Sequence, residues 1–194
     1  MRELIKSNRM SGGQPIVLGS MPTPIGDLLV FSVDDRIIAI EFRDRRHAEA
    51  RIRRFMPDAT FVDGAIPVAA HHALQIYFET GRTDGFDGLL LEPFGSPFQI
   101  RVWEELRKIP SGAATSYGAI ARSIGRPGAS RAVGAANGQN PIPIIIPCHR
   151  VIGTDRSLTG YGSGLDRKEW LLQREGAEFA GGNRPEQGGF SWAR

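Results

Sequence analysis

The residues best suited to chemistry lie in one stretch, which contains the only cysteine of the chain. Cys148 ends an apolar run and is followed directly by His149. The run holds three prolines, Pro141, Pro143 and Pro147, and because proline fixes φ the backbone path into the cysteine is closely specified. A thiol becomes a strong nucleophile when a neighbour lowers its pKa or takes its proton, and histidine can do either. The pair therefore indicates a reactive cysteine, although a single cysteine is also a common small core residue.

The composition narrows the class of protein. With 194 residues, 41% of them hydrophobic, the chain can build one domain or two small ones. No apolar run reaches the ~18–20 residues that span a membrane, and the N-terminus lacks the apolar segment of a secretory signal. One cysteine allows no intramolecular disulfide, and the four histidines have no convincing metal-ligand spacing. We therefore expect a cytoplasmic protein with no metal and no membrane partner.

The positive charge is concentrated in the half of the chain that holds Cys148. Residues 1–95 carry 11 Lys/Arg against 13 Asp/Glu, whereas residues 96–176 carry 11 against 6. An excess of this kind suits a polyanionic partner such as nucleic acid, but by itself it does not distinguish such a partner from an ordinary solvated surface.

The first half of the chain has the pattern of a small α/β domain over residues 15–92, after a flexible leader over residues 1–14. Its predicted strands are Ile16–Ser20, Gly26–Val33 and Arg36–Phe42, with a further candidate at Gly85–Leu91. Its predicted helices are Arg45–Phe55 and Pro67–Glu79. His71 and His72 are expected on the surface of the second helix rather than as ligands.

The second half, residues 93–176, is predicted to be mainly helical. The predicted helices are Pro97–Leu106, Ser116–Ile124, Ala129–Ala136 and Asp166–Glu175. The second and third are short and are joined by a turn that contains glycine, which is the plan of a helix-turn-helix. Residues 177–194 contain four glycines, a proline and a glutamine and are predicted to be a disordered tail.

Several ordered motifs in this half resemble those of one family, the O6-alkylguanine-DNA alkyltransferases, also called methylated-DNA–protein-cysteine methyltransferases. The motifs are Pro97-Phe98-Gln99, Ser116-Tyr117-Gly118-Ala119-Ile120-Ala121, Ser130-Arg131-Ala132-Val133-Gly134 and Ile146-Pro147-Cys148-His149-Arg150-Val151. The resemblance covers about residues 16–176. It implies an α+β fold, with a small ribonuclease-H-like α/β N-terminal domain followed by a mainly helical C-terminal domain that carries the helix-turn-helix and the site.

The resemblance also implies a role for each catalytic residue. Cys148 matches the thiol that accepts the alkyl group, and His149 the residue that takes the thiol proton through a bound water. Glu175 matches the carboxylate that orients the histidine, and Asn140 an asparagine that braces the turn before the cysteine. Tyr117 matches a tyrosine that donates a hydrogen bond to guanine N3. From the residues alone, Asn140 could equally be a turn former, Tyr117 is more readily a core aromatic, and Glu175 has a minor alternative as a surface carboxylate at a helix end.

The same resemblance predicts the DNA contacts and the pocket for the damaged base. Arg131 matches an arginine that fills the gap left in the duplex by the rotated nucleotide, although its type alone indicates a surface cation. The other predicted DNA contacts are Ala129, Ser130 and Thr154, together with Tyr117. The predicted walls of the pocket are Val151, Gly160, Tyr161 and Gly162.

The implied activity is stoichiometric transfer of an alkyl group from O6-alkylguanine in double-stranded DNA to Cys148, with O4-alkylthymine as a second substrate. The resemblance implies no cofactor and no obligate protein partner. One alternative is a protein that binds alkylated lesions without transfer, but such relatives replace the cysteine. A second alternative is a cysteine hydrolase that uses Cys148 and His149 and turns over many times.

Overall fold

The structure is a computed structural model that describes residues 14–42 and 45–181. It divides into two compact units between Ser96 and Pro97, four residues after the boundary predicted from the sequence. Except for Gln14, the predicted leader lies outside the described residues. In the described part of the chain, every helix is too short or too polar to cross a membrane.

The first unit is built on a four-stranded sheet. The strands are β1 (Ile16–Met21), β2 (Leu28–Val33), β3 (Arg36–Glu41) and β4 (Phe61–Asp63), in the order β3-β2-β1-β4. The first three strands pair antiparallel, whereas β4 pairs parallel to β1 after helix α1 (Arg45–Arg53). Three antiparallel strands, a helix and a parallel fourth strand are the ribonuclease-H-like arrangement that the resemblance implies.

The core of this unit lies between the sheet and the helix α1. Strand residues Leu18, Phe31 and Ile38 pack with Ala48 and Ile52 of α1 in one buried cluster. A second helix, α2 (Val68–Thr80), ends where Gly81 takes a φ of 78° and its amide donates to the Tyr77 carbonyl. Glycine favours this left-handed conformation, which explains where the helix stops. As predicted, His71 and His72 are exposed on α2.

The prediction of a strand over Gly85–Leu91 is wrong. Residues Asp84–Phe86 form a short 3-10 helix, and within the predicted strand only Leu91 bridges another strand, at Ile37. Two glycines in this segment, Gly85 and Gly88, offer no side chain to pack on a sheet, which weakens strand formation. The strand β4 was not predicted, because three residues are too few to show an alternating pattern.

Gly19 is expected to be the glycine of the first unit least tolerant of a side chain. A Cβ placed on Gly19 would lie 2.5 Å from the backbone nitrogen of Ile66, so the chain would have to move. We expect Gly19→Ala to lower the free energy of unfolding by about 1–3 kcal/mol, measured by urea denaturation. Gly88→Ala is the matched control, since a Cβ at Gly88 meets nothing within 4 Å. Equal stability of the two variants would contradict the prediction.

The second unit consists mainly of helices. They are α3 (Pro97–Leu106), α4 (Tyr117–Ser123), α5 (Ser130–Gly138) and α6 (Leu165–Arg174). Two short strands, β5 (Thr115–Ser116) and β6 (Val151–Ile152), form a parallel pair that was not predicted. The indole of Trp103 is buried, and its Nε1 donates to the Ala136 carbonyl at 2.9 Å, which fixes α3 against α5.

The helices α4 and α5 form the predicted helix-turn-helix. Ser116 caps α4 by accepting a hydrogen bond from the amide of Ala119. The turn uses Gly125 at a φ of 72°, and the Arg126 amide donates to the Ala121 carbonyl at 2.8 Å. The N-terminal ends of both helices therefore belong to one compact motif, with Tyr117 first in α4 and Ser130 first in α5.

The disordered tail was predicted to begin too early. Ala177 and Phe179 are buried and pack with Ile152 and Leu172, and the Ala180 amide donates to the Arg156 carbonyl at 2.9 Å. The prediction of disorder is therefore wrong for residues 177–181, because apolar side chains within a polar composition find a place on the core. Residues 182–194 of the predicted tail lie outside the described residues.

Candidate active site

The backbone before Cys148 is held by the side chain of Asn140. Its Nδ2 donates to the Ile146 carbonyl at 2.8 Å, and its Oδ1 accepts from the Ile142 amide at 3.0 Å. Between them Ile144 has a φ of 75°, a rare conformation for a β-branched residue. The structure thus places Asn140 across the turn, in the bracing position that was predicted for it.

The thiol of Cys148 is almost completely buried, with 4% of the residue exposed. Its Sγ lies 3.0 Å from Asn140 Nδ2, which points a donor at the sulfur. Burial raises the pKa of Cys148 to about 11, although the hydrogen bond from Asn140 and the charge of Lys168 oppose the rise. The resting sulfur is therefore a neutral thiol at pH 7, and it needs a base to become a nucleophile.

His149, the residue after Cys148, forms a buried pair with Glu175. His149 Nε2 lies 2.9 Å from Glu175 Oε1, and both side chains are inaccessible to solvent. Burial lowers the pKa of His149, against the opposing effect of Glu175, so the ring is neutral. With its Nε2 proton directed at the carboxylate, Nδ1 carries the lone pair, and this atom has no hydrogen-bond partner among the described residues. The histidine is thus prepared to accept a proton at Nδ1.

Arg150 completes this cluster, and its role was not predicted. Its Nε donates to Glu175 Oε2 at 2.8 Å and its Nη2 to Glu175 Oε1 at 2.9 Å, while Nη1 donates to the Ile109 carbonyl. Burial alone would raise the pKa of Glu175, but His149 and Arg150 lower it to about 2. The carboxylate therefore stays charged and holds the histidine in one orientation.

Acid is expected to destabilise the second unit through this cluster. The pKa of Glu175 falls from its ordinary 4.5 to about 2 on folding, so its contribution is complete above pH 4.5 and is lost as the pH drops towards 2. The lowered pKa of His149 acts in the same direction, because the unfolded chain binds that proton more readily. Urea unfolding at several pH values would measure how steeply the free energy of unfolding falls as the pH is lowered. We expect this pH dependence to be weaker in Glu175→Gln. A slope unchanged by that substitution would contradict the assignment.

Tyr117 lies at the start of α4 and faces the loop after β6. Its hydroxyl is 3.2 Å from the Thr159 carbonyl and 3.5 Å from that of Gly160. Burial raises the pKa of Tyr117, so the hydroxyl keeps its proton at neutral pH and can donate it. On its other side, a Cβ at Gly134 of α5 would come within 3.7 Å of the tyrosine ring. The tyrosine is thus positioned between α5 and the loop, not in the core of the unit.

The predicted pocket residues lie on β6 and the loop that follows it. Val151 is buried in β6, three residues after Cys148. Gly160, Tyr161 and Gly162 lie in the part of the following loop that is nearer to α6. Gly160 has a φ of 43°, and a Cβ there would lie 3.7 Å from the Tyr117 hydroxyl. The loop therefore approaches Tyr117 at a residue without a side chain, which leaves main chain available to a ligand.

The predicted DNA contacts lie at the helix-turn-helix and in the loop after β6. Ala129 and Ser130 are partly exposed, whereas Arg131 and Thr154 are exposed. Ser130 Oγ and Arg122 Nη1 both lie 3.6 Å from the position of a Cβ on Gly118, so the first turns of the two helices adjoin.

Two further residues of the site were not singled out as functional from the sequence. The side-chain Nδ2 of Asn137 donates to the Cys148 carbonyl at 3.2 Å, and Lys168 of α6 is completely buried beside the site. The signal for Lys168 was its position, since it lies three and four residues before the core residues Leu171 and Leu172 on the same face of α6. Within the described ranges, no group of three His, Cys, Asp or Glu side chains could hold a metal ion.

Comparisons with known proteins show which class of protein this chain resembles. Residues 97–177 match the family profile described as the DNA binding domain of 6-O-methylguanine DNA methyltransferase. The crystal structure of the Mycobacterium tuberculosis O6-methylguanine methyltransferase is 40% identical, with a TM-score of 0.72 over 83% of this chain and 93% of that one. A structure described as Mycobacterium tuberculosis OGT in complex with DNA has a TM-score of 0.70 at 40% identity, over 82% of this chain and 92% of that one. Residues 97–177 of the second unit are thus similar to the DNA-binding domain of 6-O-methylguanine DNA methyltransferases.

Curated relatives extend the match to most of the chain. The methylated-DNA–protein-cysteine methyltransferase of Salmonella typhimurium is 46% identical over 158 residues, which cover 79% of this chain and 92% of the relative. That of Methanosarcina acetivorans is 43% identical over 156 residues, covering 80% and 95%. The chain belongs to the methylated-DNA–protein-cysteine methyltransferase family.

Proposed function

We propose that this protein repairs DNA by direct reversal, moving the alkyl group of O6-alkylguanine in a duplex onto the sulfur of Cys148. The observation that carries the proposal is that the buried thiol of Cys148 is followed directly in the chain by His149, whose neutral, buried imidazole is oriented by Glu175. A nucleophile, a base and a group that orients the base are the parts that such a transfer needs.

In the proposed reaction, His149 Nδ1 takes the thiol proton through a bound water. The thiolate attacks the alkyl carbon, a C–S bond forms, and the bond between that carbon and guanine O6 breaks. The electron pair of the broken bond leaves with the guanine, whose N3 receives a hydrogen bond or proton from the Tyr117 hydroxyl. The product is a thioether, so each molecule reacts once, and the cysteine itself replaces any cofactor as the acceptor.

Access to the O6 atom requires that the nucleotide leave the helix, at a cost of a few kcal/mol. We propose that Ala129, Ser130, Arg131 and Thr154 bind the DNA, that Arg131 enters the gap in the stack, and that Val151 and residues 160–162 receive the base. O4-alkylthymine is the proposed second substrate. We further propose that the protein needs no protein partner and acts in a cytoplasm that keeps its thiol reduced.

Intact-protein mass spectrometry tests the function directly. After mixing with duplex DNA that contains O6-methylguanine, the protein is expected to gain the mass of one methylene group, once per molecule. A tight complex without this mass gain would instead identify a lesion-binding protein. Release of methylated product over many turnovers would contradict transfer to the protein.

Arg131→Ala is expected to slow transfer from duplex DNA by about 10- to 100-fold, because the rotated nucleotide would leave an empty gap. Single-stranded DNA with the same lesion has no such gap, so its rate should change much less. Single-turnover kinetics on the two substrates measure the difference. Arg174→Ala is the control, since this exposed arginine lies over the Trp170 ring of α6. Equal losses on both substrates would contradict the role.

A further inference from the structure

The ammonium group of Lys168 is buried without a counter-ion. Lys168 is 0% exposed, and in the part of the chain that the structure describes no carboxylate lies within ion-pair distance of its nitrogen. A buried lysine of this kind costs stability, because the charge leaves water without a carboxylate to compensate it. Burial accordingly lowers the pKa of Lys168 to about 8, against the opposing effect of Cys148. Because the buried charge lowers the stability of the fold, we expect Lys168 to serve a function through its contacts.

The contacts of Lys168 join two segments of the proposed site. Its Nζ donates to the Val151 carbonyl at 2.5 Å and to the Thr159 carbonyl at 2.6 Å. Val151 follows the Cys148–Arg150 3-10 helix directly, whereas Thr159 belongs to the loop opposite. One charged group therefore sets the distance between the segment that carries the thiol and the loop that the base would contact.

The Thr159 carbonyl connects Lys168 to Tyr117 as well. It accepts from the Tyr117 hydroxyl at 3.2 Å and from Lys168 at the shorter distance of 2.6 Å. Hydrogen bonds from a charged donor are shorter and stronger than those between neutral groups, so Lys168 dominates the position of this carbonyl. The place of the tyrosine hydroxyl thus depends on an atom that the lysine holds.

We propose that Lys168 is a positioning residue for alkyl transfer, which holds the strand after Cys148 and the opposing loop at one separation and places the Tyr117 hydroxyl through the shared Thr159 carbonyl. The inference rests on the proposed function, because it assumes that Cys148 and Tyr117 are the reacting groups. In this proposal Lys168 acts through the Val151 and Thr159 carbonyls and is not itself a catalytic residue.

Lys168→Met tests the proposal, because methionine fills a similar volume without charge or donors. In a protein that reacts once, the amplitude of methyl transfer counts the folded molecules, and the rate constant reports the geometry of the site. We expect the rate constant at saturating DNA to fall by about 10- to 100-fold, since small displacements of reacting groups have effects of this size. The dissociation constant for DNA should stay within about twofold. Lys108→Met is the matched control, as Lys108 is exposed and pairs with Glu105.

A double-mutant cycle tests the route through Thr159. In a Tyr117→Phe background, where no hydroxyl remains to be placed, Lys168→Met should slow transfer less than in the wild type. If Lys168→Met does not fold, Lys168→Gln carries the same two measurements, because its amide can bond one carbonyl without the charge. A lower amplitude with an unchanged rate constant, or fully additive effects in the cycle, would overturn the proposal. Methyl transfer by the wild type would in either case leave the proposed function intact.

Discussion

Replacing Cys148 by alanine is expected to abolish alkyl transfer while leaving the fold and the affinity for DNA unchanged. The sulfur is the proposed acceptor, so its removal should lower the rate by at least about a thousandfold. The fold should tolerate the change, because Asn140 Nδ2 keeps its bond to the Ile146 carbonyl at 2.8 Å when the sulfur is gone. Cys148→Ser should be equally inactive, since a serine hydroxyl is a far weaker nucleophile than a thiolate. Transfer of labelled methyl from O6-methylguanine DNA measures the activity, and fluorescence anisotropy measures binding.

Comparing Cys148→Ala with Cys148→Ser separates the loss of the nucleophile from the loss of a hydrogen-bond acceptor. Serine keeps a hydrogen-bond acceptor for Asn140, whereas alanine does not, so agreement between them excludes loss of that bond as the cause of inactivity. Residual methyl transfer by either variant would show that another residue is the acceptor. Loss of DNA binding in both would show that the cysteine has a structural part in the DNA-binding surface.

Glu175→Gln is expected to have the largest effect on stability among substitutions in the site. The ion pair of Arg150 and Glu175 is buried, with side chains 6% and 0% exposed. An amide in place of the carboxylate leaves the guanidinium as a buried charge without a counter-ion, which typically costs about 3–5 kcal/mol. The rate of transfer by the molecules that remain folded should also fall, by about 100-fold or more, because the neutral amide no longer fixes the histidine as a base.

Glu178→Gln is the matched control in the same unit. Glu178 pairs with Arg156 at 3.1 Å, but its side chain is 87% exposed, and exposed pairs contribute about 0–1 kcal/mol. Urea denaturation compares the free energies of unfolding, and single-turnover kinetics compare the rates. Equal stability of the two variants would show that the buried pair of Arg150 and Glu175 contributes no more to the free energy of unfolding than an exposed pair does.

The sequence predicted those elements whose own pattern is long enough to read. The helix Pro97–Leu106 has the predicted bounds, because Pro97 marks its first turn and its apolar stripe continues to Leu106. The strands β5 and β6 are two residues each and exist through their pairing with each other, so neither has a local pattern to detect. The burial of Phe179 was not predicted, because the glycines on both sides of it in the chain are typical of a disordered segment.

The candidate site was predictable where a motif placed residues together in the sequence. Cys148, His149 and Asn140 lie within ten residues of one another, and the structure brings Glu175 to His149 as the resemblance implies. The charge partners were not predictable in this way. Arg150 belongs to the motif of Cys148, but its bonds to Glu175 span 25 positions of the chain. Which of several cations becomes buried beside a carboxylate is decided by tertiary packing, and a single sequence does not record it.

The burial of Cys148 has a consequence for the lifetime of the unused protein. Peroxides and related oxidants react with the thiolate form of cysteine, and they convert it through sulfenic acid to states that cannot accept a carbon. A sulfur that is 4% exposed and has a pKa of about 11 keeps its proton and meets few such molecules. A protein that can act only once therefore keeps its one acceptor thiol protonated and buried, which protects it from oxidation until a damaged nucleotide binds.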